Sequence, residues 1–193
     1  MSSIRNSRTR FLTAAAGVAL AALSVTAFSA GTGVADDGAP KAASAKNSAA
    51  AASVTCEGSV TKTVATPLSR PLNHLLLTVT NTGKNTCFLY GYPAVQFDYT
   101  QSVPPVIKES KPQAVVTLKP GESGYASVNL SAADGSGKDG YTSKALDVYF
   151  QGRSGIGSVG KGAAPALPAK GVYVDDSLKV TYWQQSMDDA IIW

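Results

Sequence analysis

From Val54 onward, apolar and polar positions alternate in short runs separated by turn chemistry. Residues 59–65 alternate in part, and 74–80 (HLLLTVT) form an apolar, β-branched run. Asn81, Thr82 and Gly83 stop that run as a turn, with the glycine free to take positive φ. Residues 87–90 follow, then a Gly91-Tyr92-Pro93 corner, then 94–99 in strict period two. In that last run Val95, Phe97 and Tyr99 face one way, and Gln96 and Asp98 the other. Residues 114–118 and 124–130 are joined by a tight turn at Lys119, Pro120, Gly121 and Glu122. Further strands are predicted at 145–150, 171–174 and 178–183. Helical periodicity is nowhere sustained, although 184–190 has the length for one turn. The pattern predicts an all-β domain, an immunoglobulin-like antiparallel sandwich, with a small closed barrel as the other solution. The Gly- and Ser-rich stretches 131–140 and 152–162 lack an aromatic anchor and read as disordered loops.

Upstream of the domain the pattern changes. Arg5, Arg8 and Arg10 precede the uncharged run 11–28, and small residues follow it. This is the layout of a signal peptide spanning 1–35, with an exit at Gly33-Val34-Ala35 or, second, at Ala27-Phe28-Ser29. The run approaches the ~20 residues that span a bilayer. It is alanine-rich and weakly hydrophobic, so cleavage and release are expected, with localisation secreted and extracellular. Residues 36–53 hold neither an aromatic nor a large aliphatic side chain and read as a flexible Ala/Ser/Lys-rich linker. The domain is then 54–193.

Export also changes the charge argument. The chain has 17 basic and 13 acidic residues. Three of those arginines belong to the signal, which leaves fourteen bases against thirteen acids. A near-neutral domain carries no electrostatic footprint for nucleic acid or for an anionic membrane.

The chemistry-bearing inventory is short. Cys56 and Cys87 are the only cysteines, and in an exported domain an even pair reads as one disulfide. His74 is the only histidine, without a flanking catalytic motif, so it reads as a strand-edge residue rather than a triad member. With so few ligands, no metal site and no cofactor are expected. Asp175-Asp176 and Asp188-Asp189 lack the glycine-punctuated spacing of a calcium loop and read as turn and surface acids. No catalytic residue is assigned, and the protein is expected not to be an enzyme.

Two motifs in register, NTGKNTCFLYGYPAV over 81–95 and LKPG over 118–121, resemble the signature of the actinobacterial secreted domain-of-unknown-function 4232 family. The resemblance covers about 54–183 and implies an immunoglobulin-like sandwich. It implies no catalytic residues. Many members have a second cysteine pair in the later strands, and this chain has none there. Asn81, Gly83, Gly91, Pro93, Pro120 and Gly121 are the signature turn residues, expected to set backbone reversals.

What remains for function is surface recognition of an extracellular protein or a cell-wall glycan. A carbohydrate-binding face would use Tyr90, Tyr92, Trp183 and Trp193 as exposed rings. A secreted protease inhibitor is the further alternative, weakened because the cysteines bracket neither long loop. The Ile191-Ile192-Trp193 tail is expected to fold back over the sandwich rather than stand free.

Overall fold

The computed structural model describes residues 54–98 and 102–193. The predicted signal peptide, the predicted linker and Tyr99 lie outside the described residues. Among the described residues there are eleven strands and two short helical turns. They are β1 (Val54–Thr55), β2 (Thr61–Pro67), β3 (His74–Asn81) and β4 (Cys87–Phe97), a 3-10 turn (Lys108–Ser110), then β5 (Val116–Leu118) and β6 (Ser123–Asn129). After them come β7 (Tyr141–Ser143), β8 (Leu146–Gln151), β9 (Ser158–Ala163), β10 (Val172–Val174), β11 (Lys179–Val180) and α1 (Met187–Ile191).

One sheet has the order β11-β6-β3-β2, and the other runs β1-β4-β8-β9 with β5 also on β4. All pairings are antiparallel except β1 with β4. A two-stranded ribbon, β7 with β10, stands apart. This is an all-β sandwich. Alternation explains the core: Leu75, Leu77 and Val79 of β3 and Ala126 and Val128 of β6 are buried, as are Leu89, Val95 and Phe97 of β4 and Val148 and Phe150 of β8. Trp183 completes it, its indole stacked on Phe150 at 6.0 Å between ring centroids.

Several expectations are corrected. Trp183 is 1% exposed, so it belongs to the core and not to a binding surface. Gly91, Tyr92 and Pro93 form no corner: β4 continues through them as one strand of 11 residues. Gly91 takes φ +62° at an irregularity in the register between Tyr90 and Ala94, and Pro93 sits inside that bulge, where its missing N–H breaks no ladder bond. Gly83 is not at positive φ; a Cβ there would approach Asn81 Oδ1 to 3.2 Å, so what it supplies is room. The stretch 152–162 is no simple loop, because β9 occupies its second half and pairs with β8.

The two signature turns meet at Asn81, which is buried. Its Nδ2 donates to Asn85 O at 2.8 Å and to Leu118 O at 2.9 Å, while its Oδ1 accepts from Gly83 N at 2.9 Å. Its backbone N–H donates to Glu122 O and its carbonyl accepts from Gly121 N. Pro120 and Gly121, the latter at φ +85°, form the central pair of a type II turn closed by Glu122 N to Lys119 O. Cys56 and Cys87 are joined in a disulfide with 5.0 Å between their Cα atoms. It lies within one sheet, fastening the end of β1 to the start of β4.

Candidate functional site

β4 is one strand, and its even positions are the less buried ones, although Tyr92 at the bulge also packs against the edge of the core. Phe88, Tyr90, Tyr92, Ala94 and Gln96 are half-buried, while Cys87, Leu89, Pro93, Val95 and Phe97 are buried. β8 alternates in the same way and sends Asp147, Tyr149 and Gln151 outward. The register sets Ala94 beside Tyr149 and Tyr90 beside Gln151. Ala94 is the smallest side chain in the outer row, and the gap it leaves between Tyr92 and Gln96 becomes the floor of a groove.

That groove has a volume of about 440 Å³. Tyr92, Gln96, Tyr149 and Gln151 line it, with Val103 on one wall and the β8–β9 loop on another. In that loop Gly155 and Gly157 take φ +69° and +67°, conformations open to glycine, and between them Ile156 is 82% exposed. Tyr92 is held edge-on against Tyr182 at 5.3 Å, and Phe88 stacks on Tyr90 at 6.1 Å. The lining contains no Asp, Glu, Lys, Arg, His or Cys. Its chemistry is therefore that of flat rings and neutral amides, which suits contact and hydrogen bonding rather than proton transfer.

The four ring residues expected at a binding face do not share one. Tyr90 and Tyr92 stand on the outer face of β4, and Trp183 is in the core. Trp193 belongs to the folded-back tail: its carbonyl accepts from Asn129 Nδ2 at 3.2 Å and contacts His74 Nε2 at 3.2 Å, and its indole N–H donates to Asp189 O at 2.9 Å. Ile192 in that tail stays 70% exposed. The helix before it is capped by Ser186, whose hydroxyl accepts from Asp189 N. His74 is fully occupied in structure, its Nδ1 on Leu72 O at 2.6 Å. No nucleophile stands in hydrogen-bond contact with it among the described residues.

A second, more polar cavity of about 640 Å³ lies between the 131–137 loop and the start of β10. Asp175 organises it rather than solvating a turn. Its carboxylate accepts from Ser177 Oγ and Ser177 N and from Ala132 N, and Asp176 accepts from Lys138 N. The Ser177 hydroxyl, helped by the Ser177 and Ala132 N–H groups and opposed by desolvation and by Asp134, holds the Asp175 pKa below the usual carboxylate value. Gly137 is needed here because a Cβ would fall 1.9 Å from Asp175 Oδ2. With its oxygens committed to N–H donors, this acid is a loop clamp. No cluster of three or more potential metal ligands occurs among the described residues.

Tyr149, Gln96, Gln151 and Val103 are not among the site residues expected from the sequence. A usable signal was present for the first three: each is an outward position in an alternating run. Their convergence depends on the β4–β8 register, which pairs residues about fifty apart in the chain.

A disulfide-stapled β-sandwich with an uncharged aromatic groove on one outer face is the class that this fold and site define. The chain belongs to the family described as Domain of unknown function (DUF4232), whose model matches residues 47–184. No curated protein and no solved structure matches it.

Proposed function

We propose that this is an exported, non-catalytic recognition module, and that the groove between Tyr92 and Tyr149 is where it meets its extracellular ligand. The observation that carries this reading is the groove's lining: two tyrosine rings and two carboxamides around an alanine floor, without an ionisable acid or base other than tyrosine. Preformed concave sites of ~300–1,000 Å³ with a few convergent polar groups are the usual form of small-ligand pockets. A lining without charge favours a neutral ligand with both apolar faces and hydroxyl groups. A cell-wall glycan has that chemistry, its C–H faces stacking on tyrosine and its hydroxyls pairing with glutamine. The inhibitor alternative has less support, since the exposed Ile156 loop is built on positive-φ glycines and no disulfide braces it.

The test is a glycan array of neutral cell-wall oligosaccharides probed with the exported protein, followed by calorimetry on each binder. Binding that weakens about tenfold or more in both Tyr92→Ala and Tyr149→Ala, a loss of about 1.4 kcal/mol each, supports the reading. Binding unchanged in both variants, or a turnover reaction of the wild-type protein lost in His74→Ala, overturns it.

A further inference from the structure

The edges of the two sheets are treated unequally. At β5, the Gln185 carboxamide imitates a neighbouring strand: its Oε1 accepts from Thr117 N at 3.2 Å and its Nε2 donates to Thr117 O at 3.3 Å. At β9, Gly58 N donates to Lys161 O at 2.7 Å and Glu57 accepts from Lys161 N at 2.6 Å. At β11, Ile107 N donates to Val180 O and Val180 N donates to Pro105 O. These caps occupy backbone groups that otherwise template another strand. β2, with 7 residues, pairs with β3 on one side and has no such cap on the other among the described residues.

The parity of the ladder identifies the open groups. Leu68 N donates to His74 O and Thr82 N to Val60 O, both in register with the β2–β3 pairing. The hydrogen-bonded partners toward β3 are therefore the even-numbered residues of β2. Alternation turns the N–H and C=O of Thr61, Thr63 and Ala65 outward. Pro67 has no N–H and closes that row. At its centre Thr63 carries a second anomaly: its Oγ1 is buried and has no hydrogen-bond partner. Such a group is costly to leave unmade.

We propose that the protein self-associates through β2, pairing antiparallel with the β2 of a second copy about a two-fold axis at Thr63. The three open residues are self-complementary in this register: Thr61 pairs with Ala65 of the other copy, Thr63 with Thr63, and Ala65 with Thr61. The two four-stranded sheets become one of eight. Thr63 stands directly across from its own copy, where a turn about χ1 lets the two hydroxyls bond, a favourable cross-strand pair. Lys62 falls opposite Val64, which is 42% exposed, so its aliphatic stem covers that apolar surface and no like charges face each other directly. A second copy is the occupant because this one register uses every open N–H and supplies the orphan hydroxyl. A single strand pair buries less than the ~1,200 Å² of a stable complex, so the dimer is weak and concentration-dependent. This association stands apart from whatever the groove binds.

Sedimentation velocity of the exported protein across a concentration series is the test. The wild type is expected to shift from monomer toward dimer as concentration rises. Val64→Lys, a change at an exposed position that sets lysines opposite each other, should weaken association about tenfold. Thr63→Pro removes an outward N–H without touching the β3 ladder and should abolish it. A circular-dichroism melt of each variant separates lost pairing from lost fold. A wild type that stays monomeric up to its solubility limit overturns the proposal, as does a dimer that both folded variants still form.

Discussion

Inward from β4 stand Cys87, Leu89, Val95 and Phe97, and outward stand Phe88, Tyr90, Tyr92, Ala94 and Gln96. The same strand supplies both rows, yet the two are built to different requirements. The inner row must fill volume: Val95 and Phe97 are essentially fully buried, as are Val148, Phe150 and Trp183 in the same core. The outer row leaves volume empty, because Ala94 is small where the flanking side chains are large. The two rows should therefore differ in what they tolerate. Substitutions inside should be felt as stability, and, on the proposed function, substitutions outside as recognition.

Phe97→Ala should have the largest effect. Emptying a site that is 1% exposed should cost about 3–5 kcal/mol in chemical denaturation, since transfer and cavity terms add. The double substitution Cys56→Ala with Cys87→Ala comes next. The disulfide closes a loop with a separation of 31 residues, and its loss should lower stability by about 3–4 kcal/mol in the chain-entropy model, read as a fall in urea midpoint. Asn81→Ala follows at about 2 kcal/mol, because the buried Leu118 carbonyl then loses its Asn81 donor. Amide exchange in both signature turns should accelerate together in that variant, since one side chain joins them.

Those turns were the most legible part of the sequence. The Pro120-Gly121 pair announces itself through local φ/ψ demands, and local demands are visible in local sequence; the Asn81-x-Gly83 triplet announces a turn, although its glycine supplies room rather than positive φ. The strand spans at 74–80 and 145–150 were legible for the same reason, period two being a short-range signal. Gly91 was read as a corner because positive φ is equally compatible with a turn and with a bulge. Only the pairing of Tyr90 and Ala94 with β8 distinguishes the two. β9 was missed because glycine and serine carry no alternation, so its strand character comes from β8 across a hairpin. Trp183 was misplaced outside because a period-two run at 178–183 says which residues share a face but not which face meets the core. The groove needed all of these long-range facts at once.

A smaller effect concerns the second region held by side-chain chemistry, the 131–138 loop on Asp175. Its folded pKa lies below the unfolded carboxylate value of about 3.9, so the unfolded chain takes up the proton first. The stabilisation is present above that value and is lost as pH falls through the folded pKa. Hydrogen exchange at the Ala132 and Ser177 amides should rise on acidification, once corrected for intrinsic rates, before exchange in β3 does. In Asp175→Asn this pH step should vanish.

If the outer face of the β4–β8 sheet binds a ligand without carrying the fold, as proposed, Tyr149→Ala separates the two properties. The decisive measurement is thermal denaturation of this variant beside calorimetric titration with a neutral oligosaccharide that binds the wild type. The melting temperature is expected to stay within a few degrees of wild type, as for a ΔΔG under about 1 kcal/mol, while the affinity falls tenfold or more. A variant that melts as early as Phe97→Ala, or one that keeps full affinity, would contradict it.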